Sequence, residues 1–196
     1  MRVVIATGNQ GKVREIREIL GSQFEVVSMK ALGIEIDIEE NGATFAENAA
    51  IKARVVYELC GEITMADDSG LCVQALGGAP GVYSARYAGE GHDDAANNEK
   101  LLREMQGVED RRAYFACAVC CVYPGGSFTV EGQCPGIIAE TLQGEGGFGY
   151  DPLFYVPQYQ KTFGQLSMEE KNIISHRGRA LQLFAQEMRE RFAIDG

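Results

Sequence analysis

Two short polar segments carry residue types that could do chemistry. The first is Thr7-Gly8-Asn9-Gln10-Gly11-Lys12, which follows a short apolar run. The second is Ala66-Asp67-Asp68-Ser69-Gly70, which follows another. Glycines before a helix N-terminus let backbone N–H groups approach an anion, and carboxylates hold Mg²⁺ or activate water. Each segment has a simpler interpretation as a turn, because Asp, Asn, Ser and Gly all favour turns.

The first segment predicts an anion cradle rather than a known nucleotide loop. A P-loop has four residues between its first glycine and its Gly-Lys pair, and a Ser or Thr after the lysine. Here only Asn9 and Gln10 stand between Gly8 and Gly11, and Val13 follows Lys12. The alternative is a tight turn with a surface lysine.

Further polar residues occur near the ends of other segments. Glu39 and Glu40 precede a predicted helix, so they either complement its dipole or add metal ligands. Phe148-Gly149-Tyr150-Asp151 offers two aromatic faces on which a base could stack, although core aromatics are the alternative. Lys171 and His176-Arg177 add cations late in the chain.

The charge balance argues against a nucleic-acid polymer as partner. The formal net charge is −10, from 18 Lys and Arg against 28 Asp and Glu. Such a surface repels a phosphate backbone unless local cations or a metal intervene. Two local sources of cations in an acidic chain suit a small polyphosphate better.

Cysteine usage and hydropathy predict a cytosolic protein. The apolar start at residues 3–6 is too short for a signal peptide, and no run approaches the roughly 20 apolar residues that cross a bilayer. The six cysteines include Cys117-Ala118-Val119-Cys120, but a strand there sends the two thiols to opposite faces. We therefore expect buried structural thiols.

Hydrophobic periodicity and turn residues predict alternating strands and helices. The predicted strands cover residues 3–6, 24–28, 63–66, 71–76, 113–123 and 127–134. The predicted helices cover residues 12–20, 45–60, 93–105 and 175–192, the second opened by a capping box at Thr44 and Glu47. Early alternation with a late hairpin around Pro124 predicts a mixed α/β sheet in one domain, residues 1–196.

The ordered set of motifs resembles the inosine triphosphate pyrophosphatase family, also called Ham1-like, over almost the whole chain. The segments that carry the resemblance are Thr7-Gly8-Asn9…Lys12, Phe45-Ala46-Glu47-Asn48-Ala49…Lys52-Ala53, Ala66-Asp67-Asp68-Ser69-Gly70-Leu71, residues 77–87, Gly147-Phe148-Gly149-Tyr150-Asp151-Pro152 and Ser175-His176-Arg177-Gly178.

The resemblance implies a fold, an activity and a set of residue roles. The implied fold is an elongated mixed sheet flanked by helices, with two lobes and a central cleft. The implied activity is Mg²⁺-dependent hydrolysis of ITP, dITP and XTP to monophosphate and pyrophosphate by a homodimer. The implied triphosphate ligands are Thr7, Gly8, Asn9, Gln10, Gly11 and Lys12. The implied catalytic residues are Asp68, which also binds the metal, and Lys12. Glu39 is the second implied metal ligand. The other implied nucleotide contacts are Ser69, Phe148, Gly149, Tyr150, Asp151, Lys171, His176 and Arg177.

Three other functions remain open at the level of sequence. A pyrophosphatase for modified pyrimidine nucleotides would use the same phosphate chemistry. A nucleotide-sensing module would bind without turnover. A phosphatase with paired acids would release orthophosphate instead of pyrophosphate, so the inorganic product distinguishes it.

Overall fold

The computed structural model describes residues 1–193. Its strands are β1 (Arg2–Ile5), β2 (Glu25–Ser28), β3 (Thr64–Val73), β4 (Arg112–Tyr123), β5 (Gly126–Ile138), β6 (Phe154–Val156) and β7 (Lys161–Thr162). Its α-helices are α1 (Gln10–Leu20), α2 (Phe45–Cys60), α3 (Asp94–Glu104), α4 (Met168–Ile174) and α5 (His176–Phe192). The mixed α/β class predicted from the sequence is confirmed.

One sheet of seven strands has the order β2-β1-β3-β4-β5-β6-β7. Strand β1 pairs in parallel with β2 and β3, whereas β6 is antiparallel to β5 and β7. The predicted hairpin is confirmed, because only Pro124 and Gly125 connect the neighbouring strands β4 and β5. Parallel strands from helical connections and a later antiparallel hairpin give the predicted mixed sheet.

Helix α2 shows how local signals set an element that positions the site. The Thr44 hydroxyl accepts a hydrogen bond from the Glu47 N–H at 3.1 Å, and the Glu47 carboxylate accepts from the Thr44 N–H at 3.2 Å. Gly61 ends the helix in the left-handed conformation, at φ 67°. The predicted capping box and both ends of this helix are therefore confirmed.

Strand β3 corrects the prediction of two separate strands at residues 63–66 and 71–76. The structure has one strand of ten residues, Thr64–Val73, and Asp67 and Asp68 lie in its middle rather than in a turn. Both aspartates are buried. A strand tolerates buried carboxylates when cations compensate for the lost hydration, and such cations are present.

The chain forms two compact units. Within the described residues, the first comprises 1–68, 117–132 and 177–193, and the second comprises 69–116 and 133–176. The first unit has apolar clusters that include Ile16 with Leu181 and Ala53 with Ala66. The second has its own cluster around Phe154 and Phe163. The assignment of a single domain over 1–196 stays a prediction.

Candidate active site

The loop before helix α1 is held by its own side chains. Asn9 is the N-cap, and its Oδ1 accepts a hydrogen bond from the Lys12 N–H at 3.1 Å. The Thr7 hydroxyl accepts from the Asn9 N–H at 3.2 Å. The helix therefore begins at Gln10 and not at Lys12 as predicted, because Asn9 supplies the cap. Gly8, Gln10 and Gly11 are exposed next to the positive end of the helix dipole.

Asp67 and Asp68 point to opposite faces of the sheet, since successive side chains of a strand alternate. Met65 packs in the cluster that contains residues of α1 and α5, and Asp67 follows it to that face. Ala66 packs in the cluster that contains residues of α2, and Asp68 follows it to the other face. The adjacent carboxylates therefore have different direct partners: Asp67 pairs with Lys12 and Arg177, and Asp68 with Asn48 and Lys52.

Asp67 lies in a buried network of four charged groups. Its Oδ2 is 3.1 Å from Lys12 Nζ and 3.2 Å from Arg177 Nε. The second branch of Arg177, Nη1, is 2.5 Å from Glu15 Oε2, and Arg177 is only 1% exposed. Burial opposes ionisation of Asp67, but the charges of Lys12 and Arg177 hold its pKa well below the ordinary range.

This network changes the interpretation of two residues. Glu15 is a charged residue of α1, yet it is buried because it pairs with the buried Arg177. Arg177 was expected to contact the nucleotide, yet its Nε and Nη1 atoms are bonded to Asp67 and Glu15. In this structure Arg177 stabilises Asp67, and its contact with a nucleotide stays a prediction.

Asp68 is held by helix α2. Its Oδ2 accepts a hydrogen bond from Asn48 Nδ2 at 3.2 Å, and its Oδ1 is 3.4 Å from Lys52 Nζ. The same ammonium group lies 2.8 Å from Glu40 Oε2. Burial and the nearby Glu40 carboxylate raise the pKa of Asp68, although Lys52 opposes them. Asn48 and Lys52, four residues apart on one helix face, thus fix both oxygens of this carboxylate.

The donor atoms around Lys52 fit a Mg²⁺ ion that shares its coordination with a substrate. No group of three or more His, Cys, Asp or Glu side chains within residues 1–193 could hold a metal by itself. Two carboxylates, from Asp68 and Glu40, nevertheless converge on the one Lys52 ammonium. Mg²⁺ commonly takes one or two carboxylates and completes its shell with water and phosphate oxygens. Glu39 is exposed, so Glu40 is the better placed of the pair, and the role of Glu39 as a ligand stays a prediction.

In the second unit, a glycine-rich loop presents Phe148. Phe148 is 43% exposed, and Lys171 Nζ lies 4.6 Å from the centroid of its ring. Lys171 also forms a buried ion pair of 2.7 Å with Asp151 Oδ2. The same Asp151 oxygen accepts a hydrogen bond from the Phe148 N–H at 2.9 Å. A planar base could stack on this ring beside a cation that already has a carboxylate partner.

Two predicted base contacts of this unit are buried. Tyr150 is in the apolar cluster of the unit, and its hydroxyl donates to the Ser84 carbonyl at 2.7 Å. Phe148 is therefore the aromatic face available for stacking, and Tyr150 is an anchor. His176 is the first residue of α5 and stacks on Phe115, with centroids 4.7 Å apart. Ser69 follows Asp68 in β3 and is half-buried.

Lys52, Asn48 and Glu15 contribute to the site but were not predicted as site residues. The capping box fixes the phase of α2, so the spacing of Asn48 and Lys52 could have placed both on the buried face with Ala49 and Ala53. No local signal marks Glu15, because its partner Arg177 is 162 residues away in the chain.

Comparisons with known proteins agree on one family. Residues 3–187 match the model of the Ham1 family. A dITP/XTP pyrophosphatase of Desulforamulus reducens is 54% identical over 93% of this chain and 92% of its own length. One from Clostridium perfringens is 50% identical over 92% of this chain and 94% of its own. The Staphylococcus aureus Ham1 protein has a similar structure, with a TM-score of 0.90 and 43% identity over 97% of this chain and 100% of that one.

Proposed function

The chain belongs to the Ham1 family, and we propose that it hydrolyses ITP, dITP and XTP to the nucleoside monophosphate and pyrophosphate. The observation that carries the proposal is the environment of Asp68. This buried carboxylate has both oxygens oriented by α2 and shares an ammonium group with Glu40. The cellular role would be removal of deaminated purines from the nucleotide pool.

The triphosphate is assigned to the loop before α1. The start of the helix, where Gly8, Gln10 and Gly11 are exposed, and the Lys12 ammonium supply positive charge. Asp67 and the Asn9 cap limit the freedom of Lys12. Preorganised donors of this kind stabilise the charge that develops on pyrophosphate as it leaves.

Asp68 is assigned as the group that orients and deprotonates the attacking water. Its two bonds to Asn48 and Lys52 fix the direction of its lone pairs. A positioned base of this kind contributes about 10²- to 10⁴-fold to the rate. Mg²⁺ held by Asp68 and Glu40 would neutralise phosphate oxygens when it is bound.

The base is assigned to the Phe148 face. A 6-oxo purine differs from adenine in presenting a hydrogen-bond acceptor at position 6. A fixed donor in the site bonds this acceptor, and the same donor has no partner when adenine is bound. Two candidate donors of this loop are already used, since the Phe148 N–H bonds Asp151 and the Gly149 N–H bonds Asp94. Lys171, beside the ring, is paired with Asp151 but has three ammonium hydrogens, so it is the donor that we favour.

The oligomeric state and the location are proposed from the family resemblance alone. We propose a homodimer, which light scattering after gel filtration would test, and a cytoplasmic enzyme. No helix within residues 1–193 is long and apolar enough to span a bilayer.

The variant Asp68→Asn tests the proposal. The asparagine side chain has the same size and retains an oxygen that can accept the hydrogen bond from Asn48, so the fold should persist. We expect pyrophosphate release from ITP to fall by about 10²- to 10⁴-fold. Asp110→Asn, a surface carboxylate paired with Arg112, is the control and should keep wild-type turnover. Near-wild-type turnover in Asp68→Asn would contradict the assignment.

A further inference from the structure

Helix α3 holds both sides of one glycine in the loop that presents Phe148. The Gly149 N–H donates to Asp94 Oδ2 at 2.8 Å. The Gly149 carbonyl accepts from Asn98 Nδ2, also at 2.8 Å. Asp94 and Asn98 are one turn apart, and the Asn98 amide also bonds the Asp94 carbonyl at 2.8 Å. The two side chains, called here the Asp94–Asn98 pair, therefore bond the loop backbone at Gly149 from one face of α3.

The two bonds restrain both peptide planes next to Gly149, the first of which also adjoins Phe148. The N–H of Gly149 belongs to the peptide group that Phe148 shares with it, and its carbonyl belongs to the next. Gly149 is left-handed at φ 60° and Gly147 at φ 77°, so the ring is flanked by two residues with unusual backbone freedom. Without external bonds, such a segment samples many orientations of the ring.

The other anchors of the loop act on different residues. Asp151 bonds the Phe148 N–H, and the Tyr150 hydroxyl bonds the Ser84 carbonyl. A Cβ at Gly147 would clash with Asp151 Oδ2, so that side of the loop is closely packed. Only the Asp94–Asn98 pair bonds Gly149 itself among the contacts described for the loop.

We propose that Asp94 and Asn98 are positioning residues that orient the Phe148 ring for the purine base. The proposal rests on the proposed function for its substrate, but the restraint on the loop is a separate physical claim. Neither residue is assigned a contact with the nucleotide. They act through Gly149, and their loss should weaken base binding more than it slows chemistry at Asp68.

Alanine variants with matched neighbours test the claim. Asn98→Ala and Asp94→Ala should raise the KM for ITP about tenfold, while kcat changes by no more than about threefold. Asn97→Ala is the control for Asn98, because Asn97 is equally buried but bonds Ala85 and Ala88 instead. Asp93→Ala is the control for Asp94, because Asp93 only caps α3. Both controls should keep the wild-type KM even if they melt earlier.

A conservative variant separates hydrogen bonding from charge. Asp94→Asn retains an oxygen that can accept from the Gly149 N–H, so it should keep a KM within about threefold of the wild type. A KM for Asn98→Ala equal to that of Asn97→Ala would overturn the proposal, as would equal losses of kcat in both.

A fluorescence readout keeps the claim independent of activity. The chain has no tryptophan, so Phe148→Trp places a single reporter on the loop. Adding Asn98→Ala should lower the steady-state anisotropy of that tryptophan, and adding Asn97→Ala should not. Failure of the wild type to hydrolyse ITP would refute the proposed function alone. The anisotropy would still test whether the Asp94–Asn98 pair restrains the loop. Unchanged anisotropy in Asn98→Ala would overturn that claim.

Discussion

Replacing Arg177 with methionine should be among the most destabilising single changes in the first unit. The guanidinium is 1% exposed and bridges Glu15 and Asp67. Asp67 would keep Lys12 at 3.1 Å, but Glu15 would lose its ion-pair partner among the described contacts. Breaking one side of a buried ion pair costs about 3–5 kcal/mol, because a buried charge is left uncompensated.

The expected loss of unfolding free energy can be measured as a lower melting temperature. For chains of this length each kcal/mol corresponds to about 2–4 °C, so Arg177→Met should melt about 6–20 °C lower. Differential scanning calorimetry and urea unfolding followed by circular dichroism are the assays. Arg179→Met, an exposed position two residues along the same helix, is the control and should stay within about 0.5 kcal/mol of the wild type.

A double variant tests the reason for the loss. Glu15→Gln in the Arg177→Met background removes the unpaired carboxylate and keeps the side-chain volume. It should therefore be more stable than Arg177→Met alone, which is a favourable coupling between the two sites. An additive double variant, or an Arg177→Met protein as stable as the Arg179→Met control, would refute the buried network.

Three further predictions test other parts of the structure. Lys52→Met leaves Asp68 and Glu40 without their shared cation, so MgCl₂ should raise its melting temperature more than that of the wild type; equal shifts would contradict the paired-carboxylate site. Burial raises the pKa of both Cys117 and Cys121 to about 12, so the thiolate forms only well above neutral pH. At pH 8 a thiol reagent should therefore react quickly at Cys60 only, and a second fast thiol in the native protein would show that this packing is wrong. Thr44→Ala removes the hydroxyl of the capping box and should cost about 1 kcal/mol in urea unfolding; no loss would mean that the cap does not stabilise α2.

Local signals were enough to predict the elements whose ends depend on neighbouring residues. Helix α2 follows from Thr44, Glu47 and Gly61, all of which act within one turn of its ends. The β4–β5 hairpin follows from two segments of strand-like pattern, residues 113–123 and 127–134, on either side of the turn at Pro124. Capping and turn chemistry are short-range, so a single sequence contains the information.

Signals that depend on distant partners were missed. The continuous strand β3 was predicted as two strands because Asp67-Asp68-Ser69-Gly70 has the composition of a turn. Arg177, whose charge compensates the burial of Asp67, lies 110 residues away in the chain. The short strand β7 and the separate helix α4 also escaped, since two or seven residues carry little periodicity. The residue types at the candidate site were readable, but which carboxylate meets which cation was not.

The most direct test of the proposed function is the identity of the inorganic product. Purified protein with Mg²⁺ and matched ITP, XTP, GTP, ATP and UTP should be assayed for pyrophosphate and orthophosphate separately. The proposed function predicts pyrophosphate, mainly from ITP and XTP, and its loss in Asp68→Asn. Orthophosphate as the first product, a preference for UTP, or binding without turnover would contradict it.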